Sequence, residues 1–271
     1  MTTKKDTSQY LIICAESLSD ARHLLGVAVP LAASLRHKGL ILLSCASDAD
    51  SWIGEAGIPY VALRCPWREA LGALHSTFHG ILALAVRNPH ASRRSITHPA
   101  TLLRTFRDCR IAYLTIPAVN GTAPRLDTVA LTLDHSRESK EKVIWASYFA
   151  RFVGARVTFY HHCYSDPLLL TRFQNNTRYI DKIFTAQGLT FALTELPTEQ
   201  RGFFLRPRLA QFSNPDPAAL AATEGLFIMQ TSDPRERGLA ALLPPPERHL
   251  LDRKNPILIL NRRDDLYILC D

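Results

Sequence analysis

The chain has 271 residues, of which 46% are hydrophobic and 21% charged, an ordinary globular composition long enough for one large domain or two small ones. Its net charge of +7 is spread along the sequence, the densest basic cluster being Arg87, Arg93 and Arg94. No basic stripe is interleaved with aromatics, so nucleic acid is not an expected partner. No run approaches the roughly 18 apolar residues of a membrane span, and the opening MTTKKDTSQY lacks the apolar core of a signal peptide. The expected localisation is cytoplasmic, with no membrane partner. The six cysteines, Cys14, Cys45, Cys65, Cys109, Cys163 and Cys270, form no CxxC pair and read as small buried apolar groups rather than disulfides.

The pattern predicts a strand over 10–15 (YLIICA) that ends on Glu16, then a helix over 19–36. Leu24, Val27, Ala28, Leu31 and Leu35 share one face of that helix, and Pro30 is expected to kink it or end its first half. Strands follow at 40–45, 60–63, 81–86 and 111–116, with helices at 47–57, 67–79 and 99–108. Residues 118–125 (AVNGTAPR) read as a Pro/Gly linker.

The pattern then restarts. A strand over 128–133 ends on Asp134, 118 residues after Glu16. Ser136 is placed as the N-cap of the next helix, with Glu138 in its first turn. Trp145, Phe149 and Phe152 fall on one helical face, Gly154 closes the helix, and 156–161 is the next strand, completing a βαβ unit. Further on, Gly80 aligns with Gly225, and Ile111 with Ile257 at an offset of 146. The second copy therefore carries about 28 extra residues, expected around 200–222. The fold class is α/β: two tandem doubly wound domains, each a five-stranded parallel sheet flanked by helices. The domains are 1–117 and 126–271, the latter including a C-terminal tail, with 118–125 between them. Mostly apolar strands fit sheets buried on both faces, and such sheets bind ligands at the strands' carboxyl ends, where Glu16 and Asp134 lie.

The run Leu131-Thr-Leu-Asp134-His-Ser136, the helix to Phe152, the closing ARVTFYHH and the strand Leu226-Phe-Ile-Met229 resemble the universal stress protein family, the first half looking like a divergent copy. That resemblance implies a non-enzymatic stress-response protein that acts by binding a small ligand or another protein, with no cofactor. In nucleotide-binding members the residue matching Asp134 faces adenine. Their phosphates are held by Gly-x2-Gly-x9-Gly-Ser/Thr after the fourth strand, where glycines let the backbone approach and amides donate. Here Gln230 stands for the first glycine, Asp233 for the second, and Pro244-Pro245 for the closing pair. A carboxylate repels phosphate and proline has no amide to donate, so tight ATP binding is not expected. In the first half Arg87 and a glycine-free run over 88–110 occupy the same place. The candidate ligand residues are Asp134, Met229, Gln230, Thr231 and, as a degenerate counterpart, Glu16, with a small adenine-like molecule as the possible ligand. The alternative is an ATP- or AMP-binding switch with a non-standard phosphate site around Asp134, for which Arg235 and Arg237 could supply cations. Partners are an unidentified protein or a second copy of the chain, and the fifth strands, 111–116 and 257–260, are expected near each other as in the family's dimers.

Other constellations are weaker. His75 and His79 have the i, i+4 spacing of zinc ligands, but Ser76 stands where HExxH has its glutamate. His161, His162 and Cys163 alternate across a strand and would not converge. Asp264-Asp265 beside Arg262-Arg263 reads as a solvated face. The apolar tail Leu266, Tyr267, Ile268 and Leu269 is expected to be ordered and mostly buried, as an added edge strand or a docking arm.

Overall fold

The computed structural model describes residues 9–52, 57–77, 82–106, 109, 111–118, 124–196, 225–231 and 255–261. The chain divides into two compact units, Met1–Pro124 and Arg125–Asp271.

The first unit starts with strand β1 (Tyr10–Cys14), in which Leu11, Ile12 and Ile13 are fully buried. Helix α1 (Leu18–Ser34) follows, capped by the Ser17 hydroxyl, which accepts from the Asp20 amide at 3.1 Å. Its buried stripe is Ala21, Leu24, Val27, Ala28, Leu31 and Ala32. The expected break at Pro30 does not occur. Pro30 and Gly26 both lie on the solvent face, so the Gly26 carbonyl that loses its amide partner remains open to water. Strands β2 (Gly39–Ser44) and β3 (Tyr60–Arg64), helix α2 (Trp67–Thr77), β4 (Leu82–Arg87), helix α3 (Pro99–Phe106) and β5 (Ala112–Pro117) complete the unit. Between β2 and β3 the predicted helix is reduced among the described residues to one 3-10 turn, Ala49–Ser51. All neighbouring strands are parallel, in the order β3-β2-β1-β4-β5. The Phe106 ring stacks on Tyr113 at 4.4 Å and meets the edge of Trp67 at 6.4 Å, pinning α2 and α3 to the sheet.

The second unit repeats this order. Strand β6 (Thr128–Thr132), helix α4 (Ser139–Tyr148), β7 (Arg156–His161), helix α5 (Pro167–Ala186), β8 (Phe191–Glu195), β9 (Leu226–Gln230) and β10 (Ile257–Leu260) give the parallel order β8-β7-β6-β9-β10. Gly225 enters β9 where a β-carbon would lie 2.5 Å from the Thr128 carbonyl oxygen, so only glycine allows this strand its approach to β6.

Three expectations need correction here. Ser136 is not the N-cap: α4 begins three residues later, after Glu138, with no side-chain cap. The face Trp145–Phe149–Phe152 is interrupted, because Phe149–Val153 winds as a π-turn before Gly154 (φ 73°) ends the helix. Trp145 and Phe149 stay buried, while Phe152 is turned onto Tyr148 at 6.2 Å. The extra residues of the second copy are not all in 200–222. Twenty-nine residues, 162–190, join β7 to β8, against fifteen, 45–59, between β2 and β3. About half of the extra length therefore lies in the connection that carries helix α5, a well-formed element whose N-cap Asp166 accepts from the amides of Leu168 and Leu169. Strand register also refines the repeat. Leu11 pairs with Leu82 and Val129 with Leu226, so β4 and β9 are related by 144 residues rather than 145.

Among the described residues no helix is long and apolar enough to cross a membrane. The described cysteines are free thiols, but only Cys14 and Cys109 are buried. Cys65 is half-buried, and Cys45 and Cys163 are exposed, contrary to the expectation of buried groups. Both follow the last residue of a strand or lie just beyond it, where the core no longer covers them. The tail 262–271, and with it Leu266, Tyr267, Ile268 and Leu269, lies outside the described residues, as does His79.

Candidate functional site

Two residues beyond the end of β6, Asp134 turns its carboxylate back toward the start of α4. Its Oδ1 accepts from the Ser136 amide at 2.8 Å, from the Ser136 hydroxyl and from the Ser139 hydroxyl at 2.7 Å. Its Oδ2 faces the Lys142 ammonium at 3.5 Å. Lys142 is 1% exposed and also donates to the Thr132 carbonyl at 2.7 Å. Burial alone would raise the Asp134 pKa, but the Lys142 charge and the three serine donors outweigh it and hold the carboxyl below its ordinary range. From α5, Asn176 closes the turn: its Nδ2 donates to the carbonyls of Asp134 at 2.8 Å and Ser136 at 2.7 Å. Asp134 is thus a charge-compensated acceptor with most of its capacity used internally, and at neutral pH it is a weak base.

The other candidates of this unit lie on the neighbouring strand. Leu131 of β6 pairs with Ile228 of β9, and Leu133 and Gln230 each follow two residues later along their own segments. Met229 is 2% exposed and belongs to the core. Thr231 is pinned: its amide donates to Leu260 at 2.9 Å and its hydroxyl to the Asn261 carboxamide at 3.2 Å. Gln230 differs. It is 4% exposed, yet neither atom of its carboxamide has a partner among the described residues. A buried amide without a hydrogen bond costs about 1–3 kcal/mol. Beside Asp134, the His135 ring meets Tyr164 edge-on at 5.4 Å, and Tyr164 leans on Phe173 at 5.4 Å. Burial, with the nearby Asp134 charge, pushes the Tyr164 phenol up to about 12, so it stays protonated and can donate. Asp233, Arg235, Arg237, Gly238, Pro244 and Pro245 lie outside the described residues.

Glu16 belongs to the first unit and is bound to its own loop. Its carboxylate accepts from the Ser95 hydroxyl at 2.6 Å and the Ile96 amide at 3.1 Å. The glycine-free segment after β4 is further knotted by Asn88 amide to Thr97 carbonyl at 2.9 Å and Thr101 hydroxyl to Arg93 carbonyl at 2.8 Å. A carboxylate here meets an amide and a hydroxyl, the donor types that would otherwise meet a phosphate. Arg87 does not join a basic surface patch. It is fully buried at the end of β4 and donates to the Thr115 hydroxyl at 3.0 Å.

His161 and His162 do not gather around Cys163. The thiol donates to Glu195 at 2.9 Å while the His161 ring lies on Phe173 at 4.9 Å, and among the described residues no three His, Cys, Asp or Glu side chains converge as metal ligands.

Sequence reasoning missed Lys142, Ser139 and Asn176. Lys142 carried a signal: it lies three residues before Trp145 and four before Ala146, on the apolar face, where a lysine needs a partner. Asn176 shows the same pattern on α5, between Phe173 and Ile180.

No protein-family model matches the sequence, and no curated protein matches it. Among solved structures, the fold is similar to a universal stress protein from Archaeoglobus fulgidus DSM 4304, with a TM-score of 0.61 and 12% identity over 94% of this chain and 97% of that one. A putative universal stress protein from Pseudomonas aeruginosa UCBPP-PA14 gives 0.51 and 16% over 95% and 94%. The cytoplasmic domain of a prokaryotic cation chloride cotransporter gives 0.57 and 14% over 97% and 100%. At these identities the likeness is one of fold.

Proposed function

We propose that this chain is a non-enzymatic, universal-stress-protein-like binding module built as a tandem pair. Its second unit takes a small, uncharged, adenine-like ligand at the ends of β6 and β9. The observation that carries the reading is the Gln230 carboxamide, buried without a partner among the described residues, one strand away from Asp134. A carboxamide offers one acceptor and a two-hydrogen donor on a flat edge, which complements the N6/N7 edge of adenine. Lys142 already balances the Asp134 charge, so its ammonium is not free for a polyphosphate. Gln230 and Asp233 replace glycines, and Pro244 and Pro245 lack amides, so losing two or three phosphate hydrogen bonds weakens ATP by on the order of 10²–10⁵-fold. Isothermal titration with adenosine and with Mg-ATP tests this. Adenosine should bind, Gln230→Leu should abolish binding, and ATP should gain nothing over adenosine. A dissociation constant for Mg-ATP below about 10 μM, with adenosine bound far more weakly, would favour the nucleotide switch instead.

The likeness to a cotransporter's cytoplasmic domain over the whole of that domain supports a second reading, a regulatory module that works on a membrane transporter. Co-purification with membranes, lost on washing with salt or detergent, is its test.

A further inference from the structure

Strands β2 and β3 run parallel with Ser44 level with Arg64, and each strand is followed directly by a cysteine, Cys45 and Cys65. Adjacent strands lie about 4.7–4.9 Å apart, and a disulfide requires Cα atoms about 4.4–6.8 Å apart. Partners level with each other on parallel strands also project to the same face of the sheet, so the β-carbons start out on one side. Both thiols are free, Cys45 is exposed, and Cys65 is half-buried. They are near enough for charge on one to disfavour charge on the other. From this register we infer that Cys45 and Cys65 form a redox modification site, a dithiol that a small disulfide such as glutathione disulfide converts to an intramolecular Cys45–Cys65 bond.

The chemistry proceeds in two exchanges. The exposed Cys45, as thiolate, attacks one sulfur of glutathione disulfide, forming a mixed disulfide and expelling one glutathione thiolate. Cys65, as thiolate, attacks the Cys45 sulfur of that mixed disulfide, forming the Cys45–Cys65 bond and expelling the second glutathione. The two cysteines give up two electrons and two protons, and the two glutathione thiolates take them up as thiols. Burial, together with Cys45 and the Glu69 carboxylate, raises the Cys65 thiol above its ordinary value. The second exchange therefore speeds up as pH rises. The product closes a loop over 46–64 at the carboxyl ends of the strands. It does not depend on the ligand proposed above.

The test treats the full-length protein with glutathione disulfide and then blocks remaining thiols. Trypsin cuts after Lys38, Arg64 and Arg68, so the two cysteines fall on separate peptides. A single linked pair of those peptides, with the intact mass lowered by two hydrogen atoms and restored by dithiothreitol, supports the site. Cys65→Ser should instead trap one glutathione on Cys45, and Cys163→Ser should change neither result. The inference is overturned if glutathione remains on Cys45 in the unaltered protein, if Cys45 links to any other cysteine or to a second chain, or if no link forms.

Discussion

Replacing Lys142 with methionine isolates the interaction on which the second unit's strand end rests. The methionine keeps most of the apolar stem but removes the ammonium, leaving the Thr132 carbonyl without its 2.7 Å donor and Asp134 without its balancing charge. Breaking a buried pair by removing one member costs about 3–5 kcal/mol. Asp134 keeps its bonds to Ser136 and Ser139, and its side chain is 16% exposed, so the lower end, about 3 kcal/mol at pH 7, is expected. The size of this loss depends on pH. In the natural protein the folded Asp134 pKa lies below the ordinary 3.8, so its stabilisation is present above that value and fades as pH falls through the folded pKa. Without Lys142 burial is opposed only by the serine donors and the folded pKa moves up. The variant then regains stability as the carboxyl protonates. Urea unfolding followed by the buried Trp145 should therefore show a deficit that shrinks from pH 7 to about pH 4. A deficit under about 1 kcal/mol at pH 7, or one equal at both pH values, would refute the network as the source of stability. Adding Asp134→Asn to Lys142→Met should recover most of the loss, since a neutral pair leaves no bare charge.

Gln230→Leu should leave the unliganded protein as stable or stabilise it by about 1–3 kcal/mol, because it removes a buried amide with no partner among the described residues, and thermal denaturation without ligand reads this directly. Glu16→Ala should speed hydrogen exchange at the Ile96 amide while changing overall stability by about 1 kcal/mol or less, since the contact is exposed. Gly154→Ala forces a β-carbon into the left-handed region at φ 73° and should cost about 1–2 kcal/mol, measured by chemical denaturation. Tyr164 should be absent from the phenols that ionise near pH 10 in a spectrophotometric titration.

Most strands and the second strand run ending at Asp134 were legible because buried parallel strands leave continuous apolar runs, and Gly154 was legible because its conformation suits glycine. What was not legible is polar. A serine two residues after a strand-end aspartate looks like a helix cap, yet its hydroxyl donates to Asp134 and α4 begins only at Ser139. Pro30 misled because the rule for an interior proline assumes that the freed carbonyl is buried, and here it faces solvent. Half of the insertion was misplaced because composition draws the eye to the Pro/Ala-rich stretch, whereas α5 with Phe173, Ile180 and Phe184 inward is an ordinary amphipathic helix. The site was half legible: Asp134 and Gln230 stand out in the sequence, but the cation that balances Asp134 is eight residues away along a helix and becomes its neighbour only on folding.

Asn176 gives the inserted helix a mechanical meaning. Both hydrogens of its amide are committed to the turn that carries Asp134, so two hydrogen bonds tie that turn to α5. Eight residues toward its start, about 12 Å along a rigid helix, Leu168 projects into solvent at 61% exposure. A displacement of the turn by an occupant should therefore be felt at that end of the helix. An environment-sensitive dye attached at position 168 would thus work as a remote gauge of what happens at Asp134, without touching the site itself.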